Sequence, residues 1–420
     1  MYRKYSELYA ERTPDTQNNQ SVQHTETPSN NFSSSQARSP LCNKKKSASR
    51  KSPGPDGIPK EFYIRTFDII SRELTYVLND ALQGNIPSCF VDGIIVLVQK
   101  KGSTAGLSNF RPISLLNFDY KLLSRMLKIR MQGIIETWHI ISPSQKCSNK
   151  PHNIFEAVLA IKEKIIDFKR KRIRGKLVSF DLTQAFDRVD RRFLWTTMAS
   201  LGFNARLIEL LTYIGNQSSS RLLVNGHLSP SFPIQRSVRQ GDPLSMMLFV
   251  LYLHPLLTTL EGLCNNQNDL INAYADDISV ISTSLNKIEL VRQTIETFGY
   301  YSGAMLSMEK TTALDIGHIT TNNTIETPWL RTVERLRLLG ILFTNNIREA
   351  MSNNWDIVIE KFRWMVWYHR RRNLNLCQKI TLLNTFILPK VWFTASAYYS
   401  GVEVDVLEFP YNNLQNCVED

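Results

Sequence analysis

The feature that most constrains this chain is a pair of adjacent aspartates, Asp276 and Asp277, between two apolar segments. Residues 271–274 and 278–280 alternate apolar and polar side chains with the every-second-residue spacing of a β-strand. We therefore predict a hairpin with two carboxylates at its tip. Neighbouring side chains on a strand point to opposite faces, so both acids reach one site only if the turn twists them. The alternative is a solvated turn, because Asp favours turns.

A third acid stands in a matching position upstream. Residues 177–180 are apolar enough to predict a strand that ends at Asp181, and a helix is predicted to begin near Asp190. A carboxylate at the end of a buried strand is costly unless something binds it, and a metal ion is the natural partner. Asp187, in the intervening turn, also fits a helix cap.

Composition limits the class of partner. The chain has 420 residues, is 43% hydrophobic and carries a formal charge of +12, which permits two or three lobes and suits a polyanionic partner. Surplus Lys and Arg also keep a surface soluble, so charge leaves both readings open. Six scattered cysteines without a C-x-x-C pair argue against a zinc knuckle or a disulfide framework.

The sequence also predicts a location. The first residues lack an apolar signal core, and the longest apolar run, 246–253, is too short to span a bilayer. We expect an intracellular protein of the nucleus and/or cytoplasm that is neither secreted nor membrane-bound. Residues 1–50 are polar and are predicted to be largely disordered.

Basic and Gly-containing segments are candidate contacts for phosphates. A predicted strand at 91–98 leads into Lys100 and Lys101, and Phe110 to Leu115 are predicted to open a helix rich in Lys and Arg. These segments fit a solvated surface and a triphosphate or backbone channel equally well. Gln240 precedes a predicted helix start at Pro243. This loop either contacts a base or phosphate or is only the capped start of a helix.

The region 351–400 combines several tryptophans with the basic run His369 to Arg372. It predicts an aromatic helical lobe. The basic edge is either simply solvated or borders a nucleic-acid groove.

These segments together resemble the reverse transcriptase domain of non-LTR (LINE-type) retrotransposons, from Lys51 to about Ala397. The resemblance implies an α+β right-handed polymerase fold, with fingers at 51–175, a palm with an antiparallel sheet at 176–345 and a truncated thumb at 346–420. The motifs occur in the family's order: KSPGPDGIP, KKG with FRPISLL, SFDLTQAFDRVD, RQGDPLS, AYADD, SGAMLSMEK and LLGILF.

The resemblance implies RNA-directed DNA polymerase activity on an RNA template, a DNA primer and dNTPs. Such nucleotidyl transfer uses two Mg²⁺ ions, with Mn²⁺ as an alternative. Asp181 and Asp276 match the metal ligands, Asp277 supports them, and the carbonyl of Leu182 completes one shell. Lys310 matches a candidate general acid for the leaving pyrophosphate.

The remaining matched residues imply substrate contacts. Phe186 would pack against the nucleotide sugar and exclude a 2′-hydroxyl, although a ring in the palm core is the alternative. Others would neutralise the incoming triphosphate or position the template, nucleotide and primer end: Lys100, Lys101, Arg111, Gln240, Gly241 and Tyr274.

Several positions depart from the family pattern. Ser237 replaces a usual Gly, Met246 and Gln99 replace usual prolines, and residues 145–154 lack a Gly-Phe pair and an Arg. We interpret the chain as a fragment of an element's open reading frame. The alternatives are a catalytically weak or inactive nucleic-acid-binding relic and, differing at Phe186, an RNA-dependent RNA polymerase.

The charge and the basic segments predict a strong salt dependence of binding. Affinity for an RNA–DNA primer–template, measured by fluorescence anisotropy, should fall at least about tenfold between roughly 50 and 200 mM salt, because phosphate contacts release counterions. Asp276→Asn should leave this affinity largely unchanged. An affinity indifferent to salt would contradict a polyanion-binding surface.

Overall fold

The computed structural model describes residues 51–100, 106, 109–149, 152–318 and 328–398. The segment predicted to be disordered (1–50), Lys101 and the end of the predicted thumb (399–420) lie outside the described residues.

The described chain alternates helices and short strands. In order, the first half contains α1 (Lys60–Arg65), α2 (Phe67–Leu82), α3 (Ser88–Val91), β1 (Gly93–Gln99), β2 (Phe110–Leu116), α4 (Phe118–Trp138), α5 (Ile154–Arg170), β3 (Arg174–Phe180), α6 (Arg191–Ser200), α7 (Ala205–Gln217), β4 (Ser219–Val224), β5 (His227–Leu228) and β6 (Phe232–Pro233). The second half contains α8 (Ser245–Leu263), β7 (Leu270–Tyr274), β8 (Asp277–Ser282), α9 (Leu285–Ser302), β9 (Thr312–Gly317), β10 (Arg331–Val333), β11 (Leu336–Leu338), β12 (Ile341–Phe343), α10 (Ile347–Arg370), α11 (Leu376–Leu382), a π-helical turn (Leu383–Ile387) and α12 (Leu388–Tyr398).

The chain forms two compact units that are discontinuous in sequence. Among the described residues, unit 1 comprises 51–142, 183–258 and 294–305, and unit 2 comprises 143–182, 259–293 and 306–398. The predicted fingers, palm and thumb boundaries stay predictions.

Unit 1 is built on a mixed five-stranded sheet. Its strand order is β2-β1-β4-β5, with β6 also paired to β4, and β1 runs antiparallel to β2 but parallel to β4. Ile95, Leu222, Phe232 and Ile234 form a buried cluster on this sheet. The sequence Asn225–Gly226 is a strong signal for a hairpin turn, and it joins β4 to β5, with both residues in the positive φ of a type I′ turn (50° and 81°).

Unit 2 is built on a second five-stranded sheet, ordered β10-β9-β3-β8-β7. Strand β3 is the central strand of this sheet and runs antiparallel to both β8 and β9. Helix α5 buries a stripe at helical spacing (Val158, Ile161, Ile165 and Phe168) in one core cluster with residues of β3, β8, β9, β11 and β12. Helices α10 and α12 share a smaller cluster around Trp355 and Val391.

The predicted helix start at Phe110 is wrong. Residues Phe110–Leu116 form strand β2, which pairs along its length with β1. A proline is compatible with this strand, because β2 is the edge of its sheet, where a missing N–H is tolerated. The basic helix begins only at Phe118, and α8 begins at Ser245, two residues after the predicted start at Pro243.

Helix α8 is longer than the apolar run that the sequence suggested. By length and composition alone it could cross a membrane, with a mean hydropathy of 1.4. However, 56% of it is buried, and Phe249, Leu251 and Leu253 have no exposed surface. A core helix passes the same test, so this is weak evidence for a membrane span.

A buried ion pair joins β3 to β9. Lys176 Nζ lies 2.7 Å from Asp315 Oδ1, with both side chains at most 15% exposed, and also donates to Thr332 Oγ1. Lys176→Met should lower the free energy of unfolding by about 3–5 kcal/mol, because it leaves a buried carboxylate unpaired. Lys176→Met combined with Asp315→Leu should recover most of that loss in urea denaturation.

The matched control for this pair is the exposed contact between Arg335 and Glu349, at 3.2 Å. Arg335→Met should cost no more than about 1 kcal/mol. An equally small effect of Lys176→Met would contradict the assigned burial of the β3–β9 pair.

Candidate catalytic site

The register of the unit 2 sheet brings Asp181 between two other predicted site residues. Phe180 pairs with Ile278, so continuing the register by one residue sets Asp181 opposite Asp277. On the other side the β3–β9 register ends at Ser179 and Thr312, and beyond it the Asp181 carbonyl accepts from Ser307 N at 2.8 Å. Lys310 Nζ lies 3.6 Å from Asp181 Oδ2. The structure thus groups residues far apart in sequence at one end of this sheet.

The predicted carboxylate hairpin is confirmed. Strands β7 and β8 pair as far as Tyr274 with Asp277, which leaves Ala275 and Asp276 as a two-residue loop. Ala275 has a positive φ of 55°, whereas the φ of Asp276 is not positive. This is the φ pattern of a type II′ turn, whose first central residue is usually Gly. The turn is what directs the two carboxylates.

The surroundings of Asp277 disfavour its charged form. Partial loss of hydration, followed by repulsion from Asp276 and Asp181, raises the pKa of Asp277 to about 6. The Asp277 side chain is exposed, so repulsion between the carboxylates contributes more to this shift than burial does. The amine of Lys310 is itself 65% exposed and offsets little of this negative charge.

This donor set fits Mg²⁺ in its chemistry. Within the described ranges, no three His, Cys, Asp or Glu side chains converge closely enough to hold a metal ion as they stand. Mg²⁺ does not need such a cage, because it keeps several waters and usually takes one or two carboxylates together with substrate phosphates. All three side chains offer oxygen, and a cation relieves the repulsion between them.

Two other predicted residues flank this group. Leu182 is buried and pairs with Leu306 in an isolated bridge, next to Ser307 N, which donates to Asp181 O at 2.8 Å. Tyr274 is half-buried at the end of β7. Burial, followed by the neighbouring Cys147, raises the pKa of the Tyr274 hydroxyl.

In unit 1 the loop that carries the predicted site residues Gln240 and Gly241 packs on strand β2. Ser114 N donates to Gln240 O at 2.7 Å, and a Cβ on Gly241 would lie 2.4 Å from Ser114 O. Gly241 also has φ 119°, so no other residue fits without moving the strand. The close approach fixes where the Gln240 side chain begins.

Buried Asp187 orients that side chain. Gln240 Nε2 donates to Asp187 Oδ2 at 3.2 Å. Asp187 is therefore not the helix cap that its position suggested, because Asp190 caps α6 by accepting from the N–H groups of Arg192 and Phe193. The sequence contains no local signal for the Asp187–Gln240 contact, which joins residues 53 positions apart.

Phe186 is half-buried and stacks on fully buried Phe249, with ring centroids 4.3 Å apart and planes inclined by 15°. One face of the ring is thus held by the core. The Phe186 ring is therefore packed against the core on one side, and it keeps exposed surface that a nucleotide sugar could contact.

Arg111 and Lys100 lie at one end of the β1–β2 hairpin. Arg111 pairs with Val98 across the two strands, and Lys100 N donates to Asn109 O at 2.7 Å. Both side chains are exposed. Lys101 lies outside the described residues.

A residue that sequence reasoning missed is Gln145. It has no exposed surface, and its carboxamide hydrogen-bonds Ala275 in the carboxylate turn. Residues 145–154 drew attention only because they depart from the family pattern. The contact spans 130 residues, so no local periodicity could reveal it.

The departure at Ser237 has a structural cost. Ser237 is buried with φ 101°, a conformation that favours Gly, while its backbone bonds Val189 O and Arg191 Nε. Ser237→Gly should raise the free energy of unfolding by about 1 kcal/mol in urea denaturation, because it removes this strain and keeps both bonds.

The control for this prediction is Ser218→Gly. Ser218 is also buried, but it has φ −70° and its hydroxyl donates to Ile214 O. This change should destabilise by about 1 kcal/mol. Equal effects of the two substitutions would mean that Ser237 is not strained.

Known proteins similar to the chain include transposon proteins. It is 29% identical over 272 residues to the transposon TX1 uncharacterized 149 kDa protein of Xenopus laevis, covering 63% of this chain and 21% of that protein. It is 25% identical over 271 residues to a Pol polyprotein from the type-1 retrotransposable element R2 of Popillia japonica, covering 63% of this chain and 37% of that protein. The chain therefore spans well under half the length of either relative.

Among solved structures, apo telomerase from Candida tropicalis aligns with a TM-score of 0.46 and 14% identity, covering 68% of this chain and 59% of that one. The sequence model of one family, reverse transcriptase (RNA-dependent DNA polymerase), matches residues 98–343. This match confirms the predicted α+β polymerase fold class. The chain belongs to the reverse transcriptase (RNA-dependent DNA polymerase) family, and it is similar to proteins of non-LTR retrotransposons.

Proposed function

We propose that the chain extends a DNA primer on an RNA template by two-metal nucleotidyl transfer, as the polymerase segment of a longer non-LTR retrotransposon protein. The observation that carries this proposal is the grouping of Asp181, Asp276 and Asp277 at one end of the unit 2 sheet. The chain matches only 21% and 37% of the length of the two relatives, which supports its origin as a segment of a longer protein.

Asp181 and Asp276 would hold two Mg²⁺ ions, with support from Asp277 and the Leu182 carbonyl. Bound there, divalent ions lower the pKa of an attacking hydroxyl and neutralise charge on the triphosphate. Asp181 stands at the end of a paired strand and Asp276 in a constrained turn, so the sheet limits how far either carboxylate can move. Preorganisation of this kind reduces the rearrangement needed during reaction.

Other residues would act on the substrates. Lys310, beside Asp181, is placed to give a proton to leaving pyrophosphate. Arg111 and Lys100 present exposed positive charge for the triphosphate, and Gln240, held by Asp187, would contact the template or nucleotide base. Tyr274 would support the primer end.

Helix α10 favours nucleic acid as the polyanionic partner. Trp364 stacks on Tyr368 with centroids 5.2 Å apart, and the Arg372 guanidinium lies 5.1 Å from the Tyr368 ring. Trp364 and Trp367 are 57% and 61% exposed. Exposed rings interleaved with arginines match surfaces on which bases stack and phosphates pair. The aromatic core of this region lies instead around Trp355.

The alternative, a weak or inactive relic, also has specific support. Buried Ser237 strains the loop before Gln240, where a positive φ of 101° favours Gly. This alternative retains salt-dependent nucleic-acid binding but lacks metal-dependent extension.

Primer extension separates these two functions. On poly(rA)/oligo(dT) with Mg²⁺ and dTTP, the parent chain should extend the primer, and EDTA should stop it. Asp276→Asn should lower the rate on the order of 10²-fold or more, because charge stabilisation is usually the largest catalytic contribution.

Asp356→Asn, which changes an exposed aspartate of α10, is the matched control and should extend normally. No extension by a folded, primer-binding parent chain would support the relic. Extension that is equal in Asp276→Asn would contradict the site assignment.

Sugar selection tests the role of Phe186. Phe186→Val should accept rNTPs with little loss of activity on dNTPs, because a smaller side chain leaves room for a 2′-hydroxyl. In the parent chain the Phe186 ring would displace a ribonucleotide, and a displacement of about 1 Å costs on the order of 10²-fold in rate. The measurement is the dNTP/rNTP ratio of kcat/KM.

Phe193→Val, which alters another aromatic ring in unit 1, should reduce stability without changing that ratio. An unchanged ratio in Phe186→Val would make Phe186 a core residue and remove the main residue-level support for a DNA product.

A further inference from the structure

We propose that Gln145 is a positioning residue for the Asp276–Asp277 turn, with its buried carboxamide holding both backbone groups of Ala275 and so setting the direction of the carboxylates. The link to metal binding rests on the proposed function above. The hold on the turn does not, because it follows from contacts within unit 2 alone.

The carboxamide makes a closed set of contacts. Ala275 N donates to Gln145 Oε1 at 2.9 Å, and Gln145 Nε2 donates to Ala275 O at 3.3 Å. Cys147 N donates to the same Oε1 at 3.0 Å. Gln145 is completely buried and Ala275 is 6% exposed, so water cannot readily replace these bonds. One side chain therefore satisfies the N–H and the C=O of the residue that forms the turn.

The backbone around Gln145 is itself anchored to the hairpin. Ala273 N donates to Ser144 O at 2.9 Å, and Lys146 N donates to Ala273 O at 2.8 Å. This parallel bridge adds a short segment beside β7 and delivers the Gln145 side chain to the hairpin tip. Asn149 Nδ2 also donates to Gln145 O at 3.1 Å. The position of the carboxamide is thus set by main-chain pairing.

The turn needs such support because of its sequence. Ala275 has φ 55° at a position where a type II′ turn ordinarily uses Gly. A non-Gly residue keeps this conformation only where its surroundings over-determine it. Asp276 and Asp277 follow directly, so relaxation of Ala275 would redirect both carboxylates.

Hydrogen exchange tests the hold on the turn without any metal. In the parent chain the Ala275 amide should exchange at least about tenfold more slowly than an open loop amide, because Gln145 Oε1 accepts its proton. Gln145→Met keeps the side-chain volume, and Gln145→Asn keeps the amide but shortens its reach. Both should accelerate exchange at Ala275. Unprotected exchange at Ala275 in the parent chain would overturn the proposal, even if neither variant folds.

Metal affinity tests the consequence for the carboxylates. The Kd for Mn²⁺, measured by electron paramagnetic resonance, should rise about 10–100-fold in Gln145→Met, as it does when a residue that orients metal ligands is removed. The matched control is Asn272→Leu, which removes a buried amide of β7 that donates to Ala157 O. It should lower stability but leave the Kd and the Ala275 exchange rate near parent values.

Ala275→Gly supplies a selective rescue. Gly adopts positive φ without steric cost, so Gln145→Met with Ala275→Gly should regain at least about half of the lost Mn²⁺ affinity on a logarithmic scale. A Gln145 that merely filled the core would give no such rescue, and its absence would overturn the proposed action through Ala275.

The remaining outcomes separate this inference from the proposed function. Faster exchange in Gln145→Met with an unchanged Kd for Mn²⁺ would overturn the positioning of the carboxylates. A parent chain that binds no Mn²⁺ would count against the proposed metal site, while the exchange rates would still decide whether Gln145 holds the turn.

Discussion

The placement of β3 between β8 and β9 is the constraint on which the candidate catalytic centre depends. Antiparallel pairing with β8 on one side and β9 on the other fixes the position of Asp181, the residue that follows β3. Asp181 consequently stands beside Asp277 on one side and Lys310 on the other, although both lie roughly a hundred or more positions downstream. A slip of one residue would turn every side chain of the strand to the other face. The burial of Leu177 in the core cluster with α5, and the burial of Val178 on the opposite face, prevent such a slip.

The same arrangement has local costs. Three carboxylates near one another raise the pKa of Asp277, and the turn that carries two of them needs a positive φ at Ala275. In unit 1 a corresponding cost falls on buried Ser237, in the loop that leads to Gln240. Strain of this kind is typical of functional sites, where surrounding contacts hold conformations that the local sequence disfavours. Gln145 and Asp187 are two such contacts.

Local sequence signals predicted the elements that depend on periodicity and turn chemistry. The carboxylate hairpin, the strand ending before Asp181 and the Asn225–Gly226 turn are all present. The segment Phe110–Leu116 was predicted to be helical, because only the sheet context shows that it is an edge strand, where a proline is tolerated. Gln145 and Asp187 could not be identified because each acts on a residue that is distant in sequence. Alternation patterns carry no information about such pairs.

If these carboxylates hold divalent ions for nucleotidyl transfer, the number of ions bound per chain will show it. Bound Mn²⁺ would be measured by electron paramagnetic resonance on the chain with a primer–template and a non-hydrolysable dNTP. We expect two ions per chain, and fewer in Asp181→Asn and Asp276→Asn, because both carboxylates are proposed ligands. A single ion that stays with the nucleotide and is unaffected by either substitution would contradict it.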